Sequence, residues 1–239
     1  MDLLTTAMST DVADRGATIA VLPVGSFEQH GSHLPLITDT VVACAIASAI
    51  SERYELLLLP PVTISCSHEH AAFAGTVSIR AQTLIAVVED IAQSLAHQGV
   101  SGLMLVNGHG GNYVLSHVVQ QANVGEVRMA LFPGKLDWQA AHDAAGIETD
   151  LTTDMHGGEV EASLLLHVAP ELVGDGYADE DVDAAKRPHL LMLGVEGYSK
   201  SGIVGRPSMA APEKGERLLA ALVNEAGSHV GLLEQPGNA

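Results

Sequence analysis

Residues 26–40, SFEQHGSHLPLITDT, place Glu28, His30, His33 and Asp39 directly after the almost purely apolar run ATIAVLPVG. Two imidazoles and two carboxylates at the exit of a buried strand form a nitrogen and oxygen donor set without a thiolate. Zn²⁺, Mn²⁺ and Fe²⁺ accept such sets at hydrolytic centres. The same residue types return three more times. Ser67, His68, Glu69 and His70 follow ELLLLPPVTI, and Asn107, His109 and Asn112 lie in NGHGGN. Asp154 and His156 precede Glu159 and Glu161. Six of the 12 histidines fall in these segments. Glu28 and His30, two apart, point the same way in an extended chain and reach one cluster together. Asp39, at the head of a predicted helix, has two oxygens with which to bridge two ions. His109 stands among glycines, where a substrate can approach the backbone.

Structural roles compete with these readings. His33 is equally a surface loop residue. His68 and His70 alternate along a segment read as extended, so at most one of them faces a site. His97, His117, His142, His167, His189 and His229 are scattered and read as solvated or hydrogen-bonded. NGHGGN lacks the lysine of a phosphate loop and the spacing of a dinucleotide fingerprint. On a helix, Glu161 shares its face with Leu164, Leu165 and Val168, so a carboxylate there needs a compensating cation. Glu159 projects with Ala162 and Ser163, is expected to be more exposed, and suits the helix N-terminus. Glu161 is therefore the better ligand candidate.

The elements that must position these groups are legible as alternating strands and helices. Continuous apolarity at 18–25, 55–64, 102–108 and 127–132 predicts strands buried on both faces, as in a parallel sheet. Helices are predicted at 39–54, 81–99 and 112–123, the second with Leu84, Val87, Val88, Ile91 and Leu95 at helical spacing and Gly99 as a C-cap. Strand, helix, strand, helix gives βαβ units, and ligands in such sheets bind beyond the carboxyl ends of the strands. Further helices are predicted at 137–146, 159–172 and 212–234, with Pro170 ending the second. Residues 170–187 carry six acidic side chains and read as an exposed loop or short helix. No linker divides the chain, so residues 1–239 read as one α/β domain.

Bulk properties narrow the partners. Eleven basic against 29 acidic residues leave a formal net charge of −18 in 239 residues. Nucleic acid and anionic membrane both require basic surface and are excluded as partners. Aromatic residues are only 3% against 47% hydrophobic, so aliphatic side chains must build the core. Cys44 and Cys66 read as buried free thiols. Residues 1–16 show no basic leader segment and no apolar run reaches ~18 residues, so a cytoplasmic protein is expected.

LPVGSFEQHGSHLPLITDT, EHAAFAGTVSI, NGHGGN, MHGGEVEASLLL and SGIVGRPSMA, in that order, resemble the creatininase family of metal-dependent amidohydrolases, from about residue 18 to 215. The resemblance implies a three-layer α/β/α fold with a mostly parallel sheet, a two-metal centre and a homo-oligomer, commonly a hexamer. It places Glu28, His30, Asp39 and His109 on metal ligands, Asp39 bridging, and His156 on the catalytic histidine. Creatininase has a glutamate ligand where this chain has Gly111; members with the NGHGGN form replace it by the glutamate five residues after the catalytic histidine, here Glu161. Creatininase also encloses its substrate with two tryptophans, whereas Trp138 is the single one here.

The chemistry expected is therefore hydrolysis of an amide-type C–N bond, in a cyclic amide or formamide of a small molecule. Two ions, most simply Zn²⁺ or Mn²⁺ with Fe²⁺ also compatible, would activate a shared water about 3.5–4 Å metal-to-metal. His156, oriented by Asp154, would hand a proton to the departing nitrogen. Ser67, His70, Gly110 and Trp138 are the expected substrate contacts. The alternatives are a peptidase of the mycofactocin-maturation type and a non-catalytic metal-binding relative.

Overall fold

The structure, a computed structural model, describes residues 5–124 and 128–235. In chain order these residues form α1 (Ser9–Arg15), β1 (Ile19–Val24), α2 (Thr38–Tyr54), β2 (Leu57–Leu58), α3 (Ala81–Ala96), β3 (Gly102–Asn107), α4 (Val114–Ala122), β4 (Arg128–Phe132), α5 (Lys135–Ala145), α6 (Glu159–Val168), α7 (Leu190–Leu193) and α8 (Pro212–Leu233). The strands lie in the order β2-β1-β3-β4 and every pairing is parallel. Val24 pairs with Asn107, so the loops after β1 and β3 leave the sheet at one level. Val127, the head of the fourth predicted strand, lies outside the described residues.

All six residues of β1 are buried, as a strand covered by helices on both faces must be. On one face Val21, Met104, Val106 and Phe132 meet Val42, Ile46, Leu164, Leu165, Leu218 and Leu222 from α2, α6 and α8. On the other, Leu22, Leu103 and Leu105 meet Leu84, Val88 and Leu115 from α3 and α4. Three layers result, as expected, with the aliphatic core that the scarcity of aromatics requires.

Three expectations need correction. The strand predicted at 55–64 is only two residues long, because Pro60 and Pro61 have no N–H to give to a ladder. The segment nevertheless stays against β1 through Leu59 N–H to Val21 O and Val62 N–H to Pro23 O, both 2.9 Å. α6 stops at Val168, and Pro170 opens a separate 3₁₀ turn, Pro170–Leu172. α3 ends at Ala96, and Gly99 (φ +82°) turns the chain three residues later.

Candidate metal centre

The loop after β1 supplies the centre of the site. Glu28 is fully buried, and neither carboxylate oxygen has a hydrogen-bond partner among the described residues. A buried, uncompensated carboxylate is costly, and what faces it is nitrogen. His70 Nε2 and His109 Nδ1 each lie 3.2 Å from Glu28 Oε1, and His156 Nδ1 lies 3.6 Å away. Asp39, in the first turn of α2, puts Oδ1 3.0 Å from His30 Nε2 and Oδ2 3.0 Å from His109 Nδ1. Glu161, in the first turn of α6, brings Oε2 to 3.8 Å from His30 Nε2.

Backbone carbonyls decide which imidazole nitrogen faces the cluster. A carbonyl only accepts, so the nitrogen beside it carries the proton and the other offers a lone pair. His30 Nδ1 sits 3.0 Å from Glu28 O, His109 Nε2 sits 2.8 Å from Cys66 O, and His156 Nε2 sits 2.5 Å from Gln29 O. Three lone pairs therefore converge on three carboxylates, an arrangement that needs protons or cations between them. Ligand atoms form three sets within 4.8 Å: Glu28, Asp39 and His109; His30, Asp39 and Glu161; and Glu28, His30 and His156. Asp39 is common to the first two, with a different oxygen facing each.

The electrostatics express the same competition. Burial alone would lower His30, but Asp39, together with Glu161 and Glu28, outweighs it and raises the imidazole to about 9. Burial opposes protonation of His109 as well, yet Glu28 and Asp39 hold it well above its ordinary value. Burial lifts Glu161 to about 8, against the pull of His30. Burial, reinforced by His30 and His70, drives His156 well below its ordinary value, so it is neutral at pH 7. Protons on His30 and His109 occupy the positions that a divalent ion would take, and metal binding at such a centre releases them.

The glycine-rich loop after β3 is held by its asparagines. Asn107 Nδ2 donates to His109 O at 2.8 Å, Asn112 Nδ2 to Asn107 Oδ1 at 3.0 Å, and Cys66 N–H to Asn112 Oδ1 at 3.2 Å. A Cβ on Gly111 would collide with Glu69 Oε1 and His109 Nε2, so any side chain there would first have to displace those two. Beside the cluster lies a cavity of about 490 Å³, lined by His109, Gly110, His156 and Glu161 and, across from them, Lys135, Trp138 and His142 of α5.

Several residues take other roles than expected. Asp154 does not touch His156: its oxygens accept the N–H groups of Glu159 (2.7 Å) and Val160 (2.8 Å), capping α6. Glu159 is not the more exposed glutamate but fully buried, bound by Thr149 and by Lys214 Nζ at 2.6 Å, away from the cluster. His33 is buried against Gly157 O rather than at the surface. His68 and His70 lie on a 3₁₀ turn, not an extended segment; His68 is exposed and His70 is buried beside Glu28. Neither Ser67 nor His70 lines the cavity, although Trp138 and Gly110 do. His142, whose sequence context reads as solvated or hydrogen-bonded, is 5% exposed and does line it. Gln29 belongs to the site as well, its amide held between Gly31 N–H and Gly202 O; the signal for it in the sequence is an amide between two ligand-type residues, Glu28 and His30.

A three-layer parallel α/β fold with nitrogen and carboxylate donors gathered at the strand ends defines the class of molecule. The family profile described as creatinine amidohydrolase matches residues 4–230, and the chain belongs to the creatininase family. It is 35% identical over 223 residues to the mycofactocin precursor peptide peptidase of Mycobacterium ulcerans (strain Agy99), across 88% of this chain and 83% of that one. It is 28% identical over 228 residues to the creatinine amidohydrolase of Pseudomonas putida, across 87% and 86%. A crystal structure of creatinine amidohydrolase (creatininase) superposes with a TM-score of 0.80 at 25% identity, covering 98% of both chains.

Proposed function

We propose that this protein is a hydrolase of amide-type C–N bonds that works with two divalent ions, Zn²⁺ or Mn²⁺ by the chemistry of the donors. Glu28, Asp39 and His109 would hold one, and His30, Asp39 and Glu161 the other, with Asp39 shared. The observation that carries this reading is the buried Glu28 carboxylate, unpartnered and faced by imidazole nitrogens. Bound at such a site, the ions polarise a carbonyl and make water acidic enough to attack near neutral pH.

The residues of this chain do the rest. His156 is buried and neutral, its Nε2 proton committed to Gln29 O, so Nδ1 is the atom that takes a proton from the attacking water and passes it to the departing nitrogen. Gly110, without a side chain on the cavity wall, leaves the backbone open to the substrate. Trp138 and His142 form the opposite wall, where they orient the substrate and displace water.

The expected substrate was a cyclic amide or formamide. A short peptide is the better supported substrate, because identity is higher to the peptide peptidase than to creatinine amidohydrolase, and the single tryptophan supplies only half of an aromatic enclosure. Within this reading the molecule is a homo-oligomer acting in the cytoplasm. Glu28→Gln is expected to lose bound metal by elemental analysis and to abolish hydrolysis in a panel of short peptides, cyclic amides and formamides. Full metal content with undiminished turnover in that variant would refute the proposal.

A further inference from the structure

Four imidazoles surround Glu28 and Asp39, and one of them is oriented differently. His30, His109 and His156 each point one nitrogen at a carbonyl oxygen. His70 Nδ1 instead lies 2.9 Å from Nε2 of Gln29. That amide cannot be turned over. Gly31 N–H lies 2.9 Å from Gln29 Oε1 and can only donate, while Gly202 O lies 3.1 Å from Gln29 Nε2 and can only accept. Two backbone groups of opposite polarity thus fix the amide. Gln29 Nε2 must then donate to His70 Nδ1, and the ring must carry its own proton on Nε2. This is the nitrogen 3.2 Å from Glu28 Oε1.

Resting on the metal-centre reading above, we infer that Gln29 is a positioning residue that locks His70 as the Nε2–H tautomer, making it a hydrogen-bond donor to Glu28 and not a metal ligand. At the 3.2 Å separation no hydrogen bond to Oε1 forms in the structure as it stands, and donation requires a small turn of the carboxylate about its last torsion, which is a broad one in glutamate. A donor on Oε1 fixes the plane of the carboxylate that His109 and His156 also face, as outer-shell partners of metal ligands do. His70 is 1% exposed, and an Nδ1 that accepts from the Gln29 amide leaves the ring its single proton on Nε2.

The arrangement also gives a purpose to SGIVG, which the proposed reaction does not use. Gly202 has φ +87°, and a Cβ there would collide with the Gln29 amide. The loop 173 residues away in sequence packs its backbone onto the amide that sets the tautomer.

The tautomer is read by NMR of isotopically labelled imidazole nitrogens at neutral pH, in the metal-free protein and after zinc addition, with His70 identified by its loss in His70→Leu. The expected result is a proton on Nε2 and an accepting Nδ1 in both states; a proton on Nδ1 overturns the inference. Gln29→Met is expected to produce a mixture of tautomers, and an unchanged signal removes Gln29 from the role. Zinc titration supplies the second readout. His70→Gln restores an N–H near the Nε2 position and is expected to keep zinc affinity within a few-fold, whereas His70→Leu loses about 10- to 100-fold. Equal losses in the two would make His70 a ligand and overturn the inference. Failure of the unmodified protein to bind zinc would count against the metal-centre reading, and the tautomer of the metal-free protein would still decide this one.

Discussion

Glu159 and Glu161 stand two positions apart in the first turn of α6, and their surroundings assign them opposite work. Glu159 accepts from Thr149 Oγ1 at 2.6 Å and from Lys214 Nζ at 2.6 Å. Burial would raise its pKa, but Lys214 and Thr149 hold it below the ordinary 4.5. A carboxyl depressed in the folded state contributes stability above its unfolded value, and that contribution is lost as pH falls through the folded one. Lys214→Met leaves the charge buried without its cation and should cost about 3 kcal/mol at pH 7, with metal content unchanged. The deficit should shrink as pH drops below about 4.5, where protonation of Glu159 relieves the uncompensated charge. Denaturant midpoints at pH 7 and pH 4 measure it; a deficit that grows on acidification would contradict this assignment.

At the scale of elements, the position of Glu161 depends on how α6 meets α8. Gly215 is buried in that crossing, where a Cβ would collide with Ser163 O and approach His167 Cβ to 2.9 Å. Close approach of two helix backbones tolerates no added methyl, so Gly215→Ala should push α8 away. The expected cost is about 1–3 kcal/mol, together with weaker metal binding because α6 carries Glu161. Thermal melting and metal titration test this, and an unchanged melting temperature would show that the crossing has slack. Asp154 works on the same helix from its other end, satisfying two of the amides that open α6 and so fixing the turn between His156 and Glu161.

The whole molecule gathers its donors from the β1 loop, α2, the β3 loop and the start of α6, and the unfolded chain cannot present them together. Ions that bind only the folded state stabilise it by mass action, about 4 kcal/mol at a thousandfold excess over Kd. For a chain of this length a chelator should then lower Tm by roughly 10 °C, reversibly on adding Zn²⁺ or Mn²⁺. Scanning calorimetry before and after chelation measures the shift. No change, in a protein shown to contain metal, would mean that the ions bind folded and unfolded chains alike.

Much of this was written in local pattern. Apolar runs alternating with helical spacing implied the parallel sheet, and donor types collecting after each run implied where a cation would sit. Both signals are short-range properties of side chains, so β1, β3 and the crowd at Glu28, His30 and Asp39 were readable without coordinates. The apolar run 55–64 implies a longer strand than the two residues that form, because Pro60 and Pro61 deny it a ladder.

What only the tertiary structure decided was the assignment of like residues to unlike roles. Lys214, 55 positions beyond Glu159, claims that glutamate and leaves Glu161 facing His30. Asp154 turned to the amides of α6 rather than to His156. Gly31 and Gly202, from opposite ends of the chain, meet at Gln29. A hydrogen bond is settled by which partner comes within about 3 Å, and for these groups that partner arrives only when distant segments pack.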